Sequence, residues 1–226
     1  MSAGAWGWMV AAGALVGMDA VSWPQVLLSR PLVAATIGGA LGGDPAAGLA
    51  VGAVLELFTL RFPPYGAASY PDTGPAALMA GAAFGGLETG TVPGILAAIL
   101  CGWAAGWLGA ASVRFRRRLN EHLVGRGFRP GRAGRDLERR HRLALALDGI
   151  RGALLTAAFA VPIWVVVRIA DSVSLSAAGV MLSAGLIAAA VVLSGGAAAR
   201  GATVGIRGWP LFVGGLAGGL LLSAWI

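Results

Sequence analysis

The sequence contains no lysine, one cysteine, two histidines and two tyrosines, and only 12% of its 226 residues are charged. A water-soluble domain carries about a quarter charged residues, so this scarcity argues against one. The lone Cys101 lies in an apolar run, which excludes an internal disulfide and suggests no metal cluster. No basic side chain precedes Arg30. The positive n-region of a secretory signal peptide is therefore missing, and Ala3–Met18 reads as part of the mature membrane domain. The 37 glycines lack a three-residue period and sit among Leu, Val, Ala and Ile, which excludes collagen and low-complexity disorder. There is no P-loop, GxSxG nucleophile, zinc-type histidine pair or clustered aspartate motif. An integral-membrane enzyme of lipid or phosphate chemistry is the least favoured class for that reason, and no cofactor is implied.

What is present is apolar sequence, 57% of the chain, in runs at 3–18, 32–43, 45–60, 74–87, 91–113, 152–167, 175–199 and 209–226. A helix needs about 20 residues to cross a ~30 Å hydrocarbon core. The runs 91–113 and 175–199 meet that length, and 152–167 and 209–226 nearly do with their flanks. The three runs within 32–87 are too short. Non-helical backbone at membrane depth is tolerated only when buried in protein or lining a wet cavity. The expected fold is an all-α polytopic membrane protein with transmembrane helices, and short broken or re-entrant segments in its N-terminal half.

All 17 basic residues are arginines, and 12 of them fall between Arg114 and Arg151, where the net charge is +8. Residues 1–113 carry −3 and residues 152–226 carry +2. A basic block between apolar runs, with no nucleic-acid-binding motif, reads as a cytoplasmic loop obeying the positive-inside rule. Attraction to anionic lipid headgroups is a secondary consequence. Three regions follow: a membrane region 1–113 with a polar segment 19–72, an arginine-rich loop 114–151, and C-terminal membrane helices 152–226. With the loop inside, 152–167 leads outward, 175–199 returns to Arg200 and Arg207, and the last run leaves the C-terminus outside.

The segment 19–72 places Asp19, Arg30, Asp44, Glu56, Arg61 and Asp72 in or beside apolar sequence, where an unpaired charge costs at least a few kcal/mol. Each must pair, face water or bind something. Arg30 precedes Pro31, and Asp44 precedes Pro45; both patterns mark a helix start, with Asp44 as a cap. Asp19 is evenly balanced between structure and ligand. Glu56, inside AVGAVLELFTL, points into the protein or a cavity, and Asp72 stands at the next break. One reading pairs Arg30 with Glu56 or Asp72 to hold broken helices together. The other uses Glu56 and Asp72, with Gln25 and Ser29, as acceptors and donors for a neutral sugar's hydroxyls. Trp23 and Tyr70 would supply an apolar face for the ring or act as interface anchors.

The stretch SRPLVAATIGGALGGDPAAGLAVGAVLELFTL, followed by GAASYPDTGPAA, closely resembles the membrane IIC component of the mannose/sorbose family of the phosphoenolpyruvate-dependent sugar phosphotransferase system. The arginine-rich stretch ending in Asn120, then His141 and Arg151, fits the family's central region more loosely. The resemblance implies a sugar-translocating IIC subunit in the cytoplasmic membrane, without catalytic residues of its own. It implies a IID membrane partner and cytoplasmic IIA and IIB proteins, with IIB phosphorylating the incoming hexose-like sugar. Gln25, Arg30, Glu56 and Asp72 are the expected sugar-site residues, with Asp19, Ser29 and Asp44 structural or secondary. Arg116, Arg117 and His141 are candidates for docking IIB. Small-residue spacing permits close helix contacts and a homo-oligomer. The alternative is a non-transporting membrane scaffold or sensor of the same fold.

Overall fold

A computed structural model describes residues 3–60, 70–88, 90–125, 133–200 and 217. Among them are seven helices and no strand: α1 (Ala3–Asp19), α2 (Pro31–Gly42), α3 (Pro45–Thr59), α4 (Thr73–Gly85), α5 (Val92–Gly125), α6 (Ala133–Asp171) and α7 (Ala177–Arg200). The all-helical expectation holds, and so do the short elements. The runs 32–43, 45–60 and 74–87 are helices of 12, 15 and 13 residues. Apart from residue 217, the run 209–226 lies outside the described residues, as do Arg61, Arg126, Arg129, Arg132 and Arg207 and with them the C-terminal topology.

Local chemistry sets these boundaries. Arg30 is extended and Pro31 opens α2, where a missing N–H costs nothing. Gly43, at φ 128°, ends the helix in a conformation open to glycine. Asp44 then caps α3, accepting from the N–H groups of Ala46 and Ala47 at 2.8 and 3.1 Å. α2 and α3 thus form a tight hairpin whose members touch at Gly39 and Gly48. A Cβ on Gly39 would stand 2.7 Å from the Gly48 Cα.

The core is α4. Every residue from Thr73 to Gly85 is buried, enclosed by α2, α3, α5 and α6, with α1 touching it more lightly. A 13-residue helix is about 20 Å long, too short to span a bilayer but shielded from lipid by its neighbours. α1 packs along α6 where Gly17 meets Gly152; a Cβ on Gly17 would lie 2.4 Å from the Gly152 Cα. Small residues let these backbones approach closely, as helix association within lipid requires.

Residues 114–125 and 133–151 continue α5 and α6 as helix, so the boundaries at 113/114 and 151/152 fall inside helices. The change of composition there marks a change of surroundings, not the end of a helix. Val92–His122 and Asp136–Asp171 are each long and apolar enough to cross a membrane. The full helices, 34 and 39 residues, reach about 51 and 58 Å at 1.5 Å per residue. Both exceed a ~30 Å core, and their arginine-rich halves make a paired projection. At the other end Thr91 donates its N–H and its hydroxyl to Asp171 Oδ1, at 2.7 and 2.6 Å, pinning the start of α5 to the end of α6.

Candidate functional site

The starts of α2 and α4, the ends of α1 and α3, and the middles of α5 and α6 meet at one level of the molecule. Gly106 of α5 accepts the Asp72 N–H at 2.9 Å, fixing where α4 begins. Asp72 is 3% exposed, and its carboxylate is ion-paired with Arg151 of α6. Arg151 also donates to the Ser112 hydroxyl of α5 at 3.0 Å and the Gly17 carbonyl of α1 at 3.2 Å. One guanidinium therefore ties together four helical elements.

A second buried pair lies toward the projection. Arg116 Nε stands 3.0 Å from Asp148 Oδ1, close enough for charge attraction although too oblique for a hydrogen bond. Its other nitrogens donate to Asn120 Oδ1 and to the Ala144 carbonyl. The third pair, Arg30 with Glu56, is more open, the arginine side chain being 43% exposed. Glu56 Oε2 also accepts from the Leu32 N–H at 3.3 Å. The three pairs leave the region nearly neutral, which meets the cost of charge in an apolar surrounding.

Two cavities open here, sharing Ala20 and Tyr70 in their walls. The first, about 270 Å³, is lined by Ser29, Arg30, Pro31, Thr59, Tyr70 and Asp72 among others. The second, about 340 Å³, is lined by Gln25, Tyr70, Arg116, Arg117, Asn120, Asp148 and Arg151 among others. Each is of the order of the ~300–1,000 Å³ usual for small-molecule sites; the first has a mainly apolar wall with a few polar groups, and the second a mainly polar one.

The expected site residues divide accordingly. Ser29, Arg30 and Asp72 line the first cavity, and Gln25 lines the second. Glu56 is in neither lining but braces Arg30. Of the two pairings open to Arg30, the structure takes Glu56. Asp19 accepts from the Val26 and Ser29 N–H groups at 2.6 and 2.8 Å. That carboxylate holds a turn in which Gln25 and Leu27 have φ of 58° and 70°, an unfavourable region for side chains of that size. Asp44 is a helix cap remote from both cavities. Arg116 is 6% exposed, and its hydrogen bonds to Asn120 and the Ala144 carbonyl turn inward. Arg117 and His141 are exposed, and Arg117 lies over the Tyr70 ring at 5.9 Å.

Asp148, Ser112 and the pairing role of Arg151 escaped the sequence reading. A usable signal existed in LALALDGIRGALL. An acid and an arginine three residues apart, with apolar residues on both sides, share a helix face near the protein interior. The neighbouring arginines masked it.

Residues 6–128 match the family model described as the PTS system sorbose-specific IIC component. That is more than half of the chain, from α1 to the end of α5; Asp148 and Arg151 lie beyond it. A search of curated proteins finds no match.

Proposed function

The chain belongs to the sorbose-specific IIC components of the phosphotransferase system, membrane subunits of sugar permeases, and on that premise we propose that its first cavity binds a hexose-like sugar. Ser29, Tyr70 and Asp72 meet the hydroxyls there, with Arg30 held in position by Glu56 and Gln25 reaching the sugar from the second cavity. The sugar is presented for phosphorylation by a cytoplasmic IIB protein, supplied in turn by IIA, with a IID chain as membrane partner. The arginine-rich ends of α5 and α6 face the cytoplasm by the positive-inside rule. Both cavities then stand on the cytoplasmic side of the buried α4, in a multi-pass protein of the cytoplasmic membrane.

The observation that carries this reading is Asp72. It is a buried carboxylate at the start of a wholly buried helix, fixed by Arg151 and present in the wall of a cavity. The test is sugar uptake and phosphorylation with cognate IIA, IIB and IID. Glu56→Ala with Asp72→Ala is expected to abolish both, in membranes that still hold the protein. Wild-type uptake by that double variant would sink the assignment.

A further inference from the structure

A groove of about 400 Å³ runs between α5 and α6 at the root of their projection. Phe115, Leu119, Leu147, Ile150, Leu154 and Leu155 make its wall, and Phe115, Ile150 and Leu154 are each more than half exposed. The two arginines that also line it, Arg116 and Arg151, are paired with Asp148 and Asp72, so its inner surface is apolar without excess charge. Two close helix contacts of this chain run through glycine pairs, Gly17 with Gly152 and Gly39 with Gly48, the way helices associate in lipid. Among the described residues the groove wall has no glycine. Its branched and aromatic side chains hold a second helix at a distance, whereas a flexible acyl chain follows such a surface.

Charge gathers at the outer end of this groove. On α5, Arg118 stands three residues past Phe115 and beside Leu119; on α6, Arg139, Leu143 and Leu147 follow one another at four-residue steps, so each arginine continues an edge of the groove. Arg118, Arg139 and Leu143 are exposed. The acids nearby do not cancel them at that edge. Glu138 is paired with Arg142, Glu121 falls on the far side of α5 from Leu119, and Asp136 lies nearly a turn beyond Arg139. An apolar groove that ends in a basic rim matches a phospholipid with a net negative headgroup. We propose that the α5–α6 groove is a binding site for an anionic phospholipid, with one acyl chain along Phe115, Ile150 and Leu154 and the headgroup between Arg118 and Arg139. The site depends on α5 and α6 crossing a bilayer, and not on what either of the other cavities binds.

The test uses the purified complex with its membrane partner, equilibrated with phosphatidylglycerol or phosphatidylcholine of the same acyl chains, the bound lipid being counted by native mass spectrometry. The wild type is expected to retain phosphatidylglycerol in preference to phosphatidylcholine by about tenfold. Arg118→Gln with Arg139→Gln removes the rim charge, and should abolish that preference while acyl-chain binding persists. Leu154→Trp fills the groove, and should lose the retained lipid of either kind. Unfolding midpoints show that each variant is folded, and the charge variant decides the question by itself if Leu154→Trp fails to fold. Equal retention of the two lipids by the wild type, or an unchanged preference in the charge variant, overturns the proposal. So does an unchanged lipid count in folded Leu154→Trp; if the membrane partner is lost from that variant at the same time, the groove belongs to a protein instead.

Discussion

Arg151 and Asp72 show how one interaction serves both stability and site geometry. The arginine occupies one carboxylate oxygen of Asp72, so the orientation of the other follows from the pairing. Removing either partner leaves the other charged and buried, at a cost of about 3–5 kcal/mol. Asp72→Leu is therefore expected to lower the unfolding midpoint in detergent sharply. The double variant Asp72→Leu with Arg151→Leu should recover much of that loss while remaining inactive in uptake. Full stability of the single variant would show that the pair is not desolvated as described. The Arg30–Glu56 pair is more exposed, and Arg30→Gln should cost no more than about 1 kcal/mol. Its effect belongs in sugar affinity instead. Asp19→Ala frees the Val26 and Ser29 N–H groups and the turn carrying Gln25; limited proteolysis at 20–29 is expected to accelerate, whereas an unchanged pattern would mean that other contacts hold the turn.

At the scale of elements, α1 to α4 were legible because their signals are local. Proline after arginine, aspartate before proline and glycine at Gly43 act within a few residues, and the three short helices begin and end within two residues of the apolar runs. Asp44→Ala is expected to destabilise α3 by about 1 kcal/mol, read as a modest shift of the unfolding midpoint; no shift would mean that tertiary packing alone fixes the start of α3. The arginine-rich segment was not legible in the same way. Helix propensity does not distinguish arginine inside a membrane from arginine beyond it, and the long α5 and α6 continue across that boundary. The burial of Arg116, Asp148 and Arg151 depends on contacts between helices far apart in the chain, which run lengths and charge sums do not carry. The same holds for Glu56, whose pairing with Arg30 requires the α2–α3 hairpin to close first.

For the molecule as a whole, the scarcity of charge becomes an account of where the remaining charge sits. On the proposed reading the arginines on the projecting halves of α5 and α6 set orientation, while the pairs at the root of that projection line two adjoining cavities. α4 anchors both: its burial fixes Asp72, and the clasp between Thr91 and Asp171 holds the opposite end of the scaffold. The central claim is that a sugar occupies the space beside Asp72, and Ala20 offers the most direct test because it lines both cavities. Equilibrium hexose binding would be measured on the assembled complex for the wild type and for Ala20→Trp, with the unfolding midpoint recorded for each. Loss of hexose binding in a folded Ala20→Trp complex is the predicted result; wild-type affinity with the cavities filled would contradict the account.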